Sequence, residues 1–281
     1  MPELPEVETV RRGLSALVTG KTITGVNIIY PRIIQGDPQD FADKLTGKKF
    51  IKIDRRGKFL LFRFSQGLTM VSHLRMEGKY SVKDSLLPLN KHTHVVFDLN
   101  DKTQLRYNDV RKFGRMRLVK TGEETDLPSL KKLGPEPTPT TFDAGDFYYS
   151  LHKRKKSIKT ALLDQTIVVG LGNIYVDEVL WMTKIHPETK CNVITKEQAA
   201  QLRDNIIVEL ERAIEAHGTT VFTFTDANSH SGSFQDQLNV YGKKGEPCPR
   251  CQTPIEKIVV GQRGTHFCPH CQQLVSDWST Q

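Results

Sequence analysis

Four cysteines near the C-terminus and two residues at the front of the chain carry the clearest chemical signals. Cys248 with Cys251 and Cys268 with Cys271 make two Cys-x-x-Cys turns, separated by the 16 residues from 252 to 267. Each turn supplies two thiolates and the segment between folds back as a hairpin, which is the spacing of a tetrahedral zinc site. Four thiolates complete the coordination sphere, so one bound Zn2+ has no open position for activating water and serves structure. Two disulfides would also use these cysteines, but nothing in the sequence indicates an oxidising compartment. His266 and His270 stand near enough to substitute as ligands. Gly261-Gln262-Arg263-Gly264 marks the hairpin tip, where Arg263 would project a guanidinium toward a phosphate or a groove, although an exposed arginine at a turn is ordinary. Cys191 is left over and reads as a small buried hydrophobe.

At the other end, Pro2 is followed by Glu3. Removal of Met1 would leave a secondary amine held in a ring. An α-amino group titrates near 7.7 to 8.0 and lysine near 10.4, so at pH 7.4 roughly a quarter of the former is neutral against about a thousandth of the latter. Such an amine can attack the anomeric carbon of a sugar, and the iminium that forms acidifies the adjacent carbon and permits elimination of a phosphate. Glu3 would then sit beside the reacting carbon as a proton carrier. The plain alternative is that Pro2 merely follows the start codon, and a retained Met1 would block the amine.

The whole chain is compatible with an anionic partner. Forty Lys and Arg stand against 32 Asp and Glu in 281 residues, a formal net charge of +8. The densest basic run, His152-Lys153-Arg154-Lys155-Lys156 with Lys159 beyond it, is either a solvated face or a nucleic-acid contact. A hydrophobic fraction of 37% excludes a disordered chain. Glutamates occupy the place of a signal-peptide core, and no apolar run approaches the roughly 18 residues of a membrane span, so a cytoplasmic protein is expected.

These residues need elements to position them. Val7, Val10, Leu14 and Leu17 have helical spacing, with Pro5 in a first turn and Glu6 and Glu8 near the positive end, where carboxylates are favoured. Glu3 precedes the periodic stretch, and helix stabilisation explains it less well. From Lys21 to Lys120, short β-branched or aromatic runs begin at Ile23, Phe50, Phe59, Val95 and Met116, with turn signals at Arg56-Gly57, Gln66-Gly67 and Asn100-Asp101. That density predicts an antiparallel sandwich or barrel. Pro128, Gly134, Pro135, Pro137 and Pro139 mark a linker. A capping box of Thr195 with Gln198 opens a helix that ends near His217-Gly218. Residues 219–235 are polar and weakly patterned, as functional loops often are. No internal repeat is visible.

Taken together, these motifs resemble one family. Met1-Pro2-Glu3-Leu4-Pro5-Glu6-Val7-Glu8 is similar to the start of the bacterial formamidopyrimidine-DNA glycosylases. Arg56-Gly57-Lys58, His73-Leu74-Arg75-Met76, Lys91-His92, Asp109-Val110-Arg111-Lys112-Phe113-Gly114, Gly170-Leu171-Gly172-Asn173, Val240-Tyr241-Gly242 and the hairpin Arg263-Gly264-Thr265-His266-Phe267-Cys268 continue the match along nearly the whole chain. The resemblance implies an α+β fold: an N-terminal antiparallel β-sandwich domain with its helix (1–130), a linker (131–147), a helical helix-two-turns-helix domain (148–240) with a lesion-capping loop at 219–235, and a zinc finger (241–281). It implies a monomer that binds double-stranded DNA containing oxidised bases or abasic sites in a cleft between domains, excises oxidised purines and cuts the strand by β,δ-elimination.

Carried over residue by residue, the resemblance makes Pro2 the imine-forming nucleophile and Glu3 the acid of base loss and sugar opening, with Glu6 supporting. Lys58 would assist β-elimination and Arg263 phosphate contact and δ-elimination. His92, Lys155 and Asn173 would hold phosphates. Met76, Arg111 and Phe113 would fill the hole left by the everted base. Each has a bland reading: Lys58 as a surface residue, Met76 and Phe113 as core, Gly170-Leu171-Gly172 as a dinucleotide loop, which lacks its third glycine because Tyr175 stands there. Phe222, Phe224 and His230 have no clear family equivalents. The related endonuclease VIII branch, acting on oxidised pyrimidines, and a non-catalytic zinc-ribbon protein that binds distorted duplexes are the competing expectations; Glu3-Leu4-Pro5 and Arg111-Lys112-Phe113-Gly114 favour the purine branch.

Overall fold

The computed structural model describes residues 2–219 and 233–274. They fall into two compact units: one takes the chain up to Lys131 together with 217–219 and 233, the other Lys132–Ala216 together with 234–274.

In the first unit, α1 (Leu4–Val18) buries Leu4, Val7, Val10, Leu14 and Val18; of the stripe expected from the spacing, Val7, Val10 and Leu14 are buried and Leu17 is partly buried against the core. Then follow β1 (Ile23–Ile28), α2 (Pro38–Leu45), β2 (Phe50–Arg56), β3 (Phe59–Phe64), β4 (Leu68–His73), β5 (Lys79–Asp84), β6 (Thr93–Leu99), β7 (Thr103–Asn108), β8 (Arg115–Lys120) and the short α3 (Pro128–Lys131). Two four-stranded antiparallel sheets form, in the orders β1-β6-β7-β5 and β2-β3-β4-β8. Phe50, Phe62 and Met70 of one sheet and Tyr80, Phe97 and Tyr107 of the other share a single core with α1 and α2, so the expected sandwich is present. Three of its strands, β4, β5 and β7, lie where no apolar run marked them.

The second unit is helical. It contains α4 (Ala144–His152), α5 (Ile158–Leu162), α6 (Asn173–Thr183) and α7 (Lys196–Glu215), followed by the hairpin β9 (Glu256–Val260) and β10 (Arg263–Phe267). Asp143 and Ser157 cap α4 and α5 by accepting the N–H groups of Asp146 and Thr160. Thr195 and Gln198 close the predicted capping box, at 3.0 and 3.2 Å. Val176, Val179 and Leu180 of α6 and Leu202, Ile206 and Leu210 of α7 meet in the core, and Cys191 is buried among them. No helix among the described residues is long and apolar enough to cross a membrane.

One buried acid in this core holds its proton more tightly than a free carboxyl does. Glu178 on α6 accepts the backbone N–H groups of Asn239, Val240 and Tyr241 at 2.8 to 2.9 Å. Glu209 on α7 is itself fully buried, and burial together with the Glu178 charge pushes its carboxyl up to about 7 from 4.5. A carboxyl whose folded pKa is raised stabilises the fold fully below its unfolded pKa, and that contribution is lost as pH rises through the window between the two values. Glu209→Gln is therefore expected to gain on the native protein by roughly 3 kcal/mol between pH 4.5 and 7. Urea unfolding of both proteins across that range checks it, and parallel pH profiles would refute it.

Candidate active site

In the first unit the predicted residues lie at the start of α1 and the β2–β3 turn, and on a pair of loops. Glu3 is the residue preceding α1 and is only 3% exposed. The difficulty of explaining Glu3 by helix stabilisation disappears in the structure, because Glu3 is the N-cap and its N–H donates to Glu6 Oε2 at 2.9 Å. The other Glu6 oxygen accepts the N–H and the hydroxyl of Thr219, at 2.9 and 3.1 Å. Gly218 has φ +79°, and a Cβ there would meet Glu6 Oε1 at 2.7 Å, so only glycine lets Thr219 approach. Glu6 thus holds the backbone next to Pro2, which is half-buried.

Glu8 makes a second tie. Its carboxylate accepts Arg11, Arg12 and Arg55 at 2.8 to 3.2 Å. Burial opposes its ionisation, yet these guanidinium bonds win and hold the carboxyl down to about 2. Arg55 also donates to Gly57 O at 2.9 Å. The carboxylate on α1 and the turn carrying Lys58 are therefore joined through one arginine. Lys58 is 6% exposed, which excludes the surface reading. Burial, then the charges of Arg75 and Lys58, push the nearby His73 imidazole down to about 3. Consistent with a neutral ring, His73 Nδ1 accepts the Arg75 N–H at 2.9 Å.

The second place is a pair of loops. Residues 74–78 link β4 to β5 and carry Met76, half-buried; residues 109–114 link β7 to β8 and carry Arg111 and Phe113, both exposed. Phe113 is not core: its ring is 46% exposed, with the Arg111 guanidinium 4.7 Å above it. Buried Asp109 shapes the loop by accepting the N–H of Arg111 at 3.0 Å and of Gly114 at 2.8 Å. His92 O accepts the Asp109 N–H, and the His94 ring bonds Asp109 O at 2.7 Å. The Tyr107 hydroxyl sits beneath both loops. A Cβ would come within 2.3 Å of it from Gly78 and within 1.6 Å from Gly114.

In the second unit, Asn173 is the first residue of α6, after Gly170-Leu171-Gly172. The Gln165 side chain shapes that turn, accepting the Gly170 N–H and donating to Leu171 O, both at 2.9 Å. Asn173 Nδ2 donates to Gly264 O of the hairpin at 2.9 Å, while its buried Oδ1 has no partner among the described residues. Arg263 is exposed and begins β10; the turn itself is Gly261 and Gln262, both with positive φ. Lys155 is exposed between α4 and α5. The basic run is not one solvated face, because Lys156 pairs with Asp164 at 2.8 Å and Lys159 is fully buried against Asp177.

The Cys248, Cys251, Cys268 and Cys271 sulfurs all lie within 4.8 Å of one another, and none is in a disulfide. Four convergent sulfurs fit one structural zinc and leave His266 and His270 outside the set. The indole of Trp181 on α6 donates to Cys248 Sγ at 3.4 Å, the kind of outer contact that orients a ligand. The loop residues Phe222, Phe224 and His230 lie outside the described residues.

An antiparallel sandwich with a buried acidic N-terminus, joined in one chain to a helical unit ending in a four-cysteine hairpin, defines a class of its own, and comparison with known proteins gives it a name. Three family models match: the formamidopyrimidine-DNA glycosylase N-terminal domain at residues 1–116, its H2TH domain at 133–225, and a zinc finger found in FPG and IleRS at 245–274. The formamidopyrimidine-DNA glycosylase of Ligilactobacillus salivarius is 63% identical over 276 residues, covering 98% of this chain and 100% of that protein. That of Latilactobacillus sakei is 58% identical, covering 97% and 98%. Among solved structures, Lactococcus lactis Fpg complexed with DNA containing an abasic site aligns with TM-score 0.92 at 46% identity, over 96% of this chain and 99% of that one. A MutM complexed with DNA containing carbocyclic 8-oxo-G aligns with TM-score 0.91 at 46% identity, over 97% and 100%. The chain belongs to the formamidopyrimidine-DNA glycosylase family.

Several positioning residues left no motif in the sequence: Arg55, Thr219, Tyr107, Gln165 and the Lys159 and Asp177 pair. Tyr107 is the most exacting. Gly114→Ala is expected to cost about 1–3 kcal/mol of stability through overpacking against the Tyr107 ring. Chemical denaturation measures this, and an unshifted midpoint would contradict the packing described.

Proposed function

We propose that this chain excises oxidised purines, 8-oxoguanine and formamidopyrimidines, from duplex DNA and cuts the strand at the resulting sugar. The family membership supports the glycosylase activity, and the solved relatives carry DNA with abasic-site, Fapy-dG or carbocyclic 8-oxo-G lesions. The observation that carries the mechanistic reading is the clamp of Glu3 and Thr219 on Glu6, which holds the residue next to Pro2 in a defined, buried place.

With Met1 removed, the Pro2 nitrogen attacks C1′ as the glycosidic bond breaks, and the base leaves carrying a proton. Glu3 gives a proton to O4′ as the C1′–O4′ bond opens, leaving an iminium on Pro2. Loss of a C2′ proton breaks C3′–O3′ and expels one phosphate; loss of the C4′ proton then breaks C5′–O5′ and expels the second. Water releases the sugar remnant and restores the amine. Lys58 serves the first elimination, and Arg263 the second. His92, Lys155 and Asn173 hold phosphates, where an amide or a cation suits the charge. Eversion costs a few kcal/mol, which Met76, Arg111 and Phe113 offset by occupying the vacated stack. The four-cysteine hairpin would hold one zinc, which supplies rigidity and no chemistry. The enzyme acts as a monomer.

Borohydride reduction during incubation with 8-oxoguanine duplex should give a covalent adduct that mass spectrometry maps to Pro2 and that Pro2→Gly abolishes. Glu3→Gln should lower excision by about a hundred- to ten-thousandfold while duplex binding persists. A crosslink on any other residue would overturn the mechanism, and a preference for thymine glycol would move the substrate to oxidised pyrimidines.

A further inference from the structure

A two-stranded hairpin leaves the outer edge of each strand without ladder partners, and in β10 those edge groups include Gly264 C=O and His266 N–H, two residues apart on one side. Neither faces a third strand. Instead, Lys159 on α5 donates from Nζ to Gly264 O at 3.2 Å, and Asp177 on α6 accepts the His266 N–H on Oδ2 at 2.8 Å. The two side chains close the arrangement by pairing with each other, Nζ to Oδ1 at 2.6 Å, and both are 0% exposed. Asn173 adds a second donor to Gly264 O at 2.9 Å. On the other side of Arg263 the turn is also pressed home, since a Cβ on Gly261 would stand 2.8 Å from Thr160 Oγ1.

A buried ion pair is a poor device for stability alone, because well-packed apolar side chains of similar size usually serve as well. What an apolar pair cannot do is offer a donor and an acceptor at the spacing of a strand edge. We propose that Lys159 and Asp177 are positioning residues that stand in for a third strand on β10, holding the backbone just beyond Arg263, at Gly264 and His266, independently of the four-cysteine site, so that Arg263 is set for the second elimination. This rests on the role given to Arg263 above, and it adds a second anchor, near the hairpin tip, to the metal at the base.

The test replaces both charges together, Lys159→Met with Asp177→Leu, so that no single charge is stranded in the core; Asp177→Asn, nearly isosteric, is the second variant should the double one not fold. Four quantities are read on purified full-length protein: zinc per chain, amide exchange of the 262–266 segment, 8-oxoguanine excision, and the ratio of δ- to β-elimination products. The double variant should keep its zinc and its excision, lose exchange protection at His266, and lower the product ratio by about ten- to a hundredfold, as misplacement of an orienting group does. Arg263→Gln is run beside it and should lower the ratio without loosening the segment. Unchanged exchange at His266 would overturn the anchoring. A loosened segment with an unchanged ratio would overturn the positioning of Arg263 where Arg263→Gln lowers the ratio. If Arg263→Gln leaves the ratio unchanged, the role given to Arg263 fails while the exchange data still decide the anchor.

Discussion

Both oxygens of the Glu6 carboxylate are committed to backbone at two distant points of the sequence. One takes the Glu3 N–H; the other takes the N–H and hydroxyl of Thr219, 213 positions later. A buried carboxylate is tolerated only when its lone pairs are satisfied, so the arrangement specifies where the front of the chain must lie. Half-buried Pro2 is followed directly by Glu3, the N-cap of α1. A terminal amine is normally among the most mobile groups in a protein, and mobility would forfeit most of its advantage as a nucleophile. For the nucleophile proposed at Pro2, the Glu6 clamp would remove that disadvantage with one side chain. Glu8, two residues on, works in another direction: it grips Arg55, and Arg55 grips Gly57 next to Lys58. The two glutamates in the first turns of α1 thus serve as structural ties in different directions, where the sequence alone allowed only a favourable interaction with the helix end.

What could be read in advance was what local rules govern. The four-cysteine spacing, the Thr195 capping box and the helical stripe of α1 each depend on a few neighbouring residues, and each is where the residue pattern puts it. The motifs that define the family were legible because each is a short string. Strands β4, β5 and β7 were not. Thr103-Gln104-Leu105-Arg106-Tyr107-Asn108 holds a buried arginine, whose guanidinium donates to the carbonyls of Asp84, Leu87 and Pro88. Such a residue argues against a core strand until the loop that receives its hydrogen bonds is in place. Glu3 was obscure for a similar reason: the usual N-caps are Ser, Thr, Asp and Asn, and here the backbone N–H is satisfied by the residue three positions on. Lys159 read as the tail of a basic surface run because nothing in its neighbourhood names Asp177, 18 residues ahead.

A common principle connects these unreadable features. Irregular segments have N–H groups without ladder or helix partners, and a carboxylate, with about four acceptor positions, is the most economical way to satisfy several at once. Glu6 does this for 3 and 219, Asp109 for 111 and 114, Asp177 for 266, and Glu178 for 239–241. In the first three cases the clamped segment carries or adjoins a residue assigned to the chemistry: Pro2, then Arg111 and Phe113, then Arg263.

Substitution at such a carboxylate therefore acts on a segment of chain rather than on one contact. Removing the acceptor leaves buried N–H groups without a partner, each costing about 1–3 kcal/mol, so the segment finds it cheaper to move toward water than to stay. Displacement by even an ångström is enough to misalign a nucleophile or a cation with a developing charge. Loss of stability and loss of activity should thus track each other at Glu6 and Asp109, and separate at Pro2, Arg111 and Arg263, whose side chains bear none of the clamped backbone's hydrogen bonds. Glu178 marks the limit of the device: its oxygens are taken up by the 239–241 segment, and the neighbouring Glu209, buried beside that charge and met by Arg212, has its carboxyl pushed up to about 7.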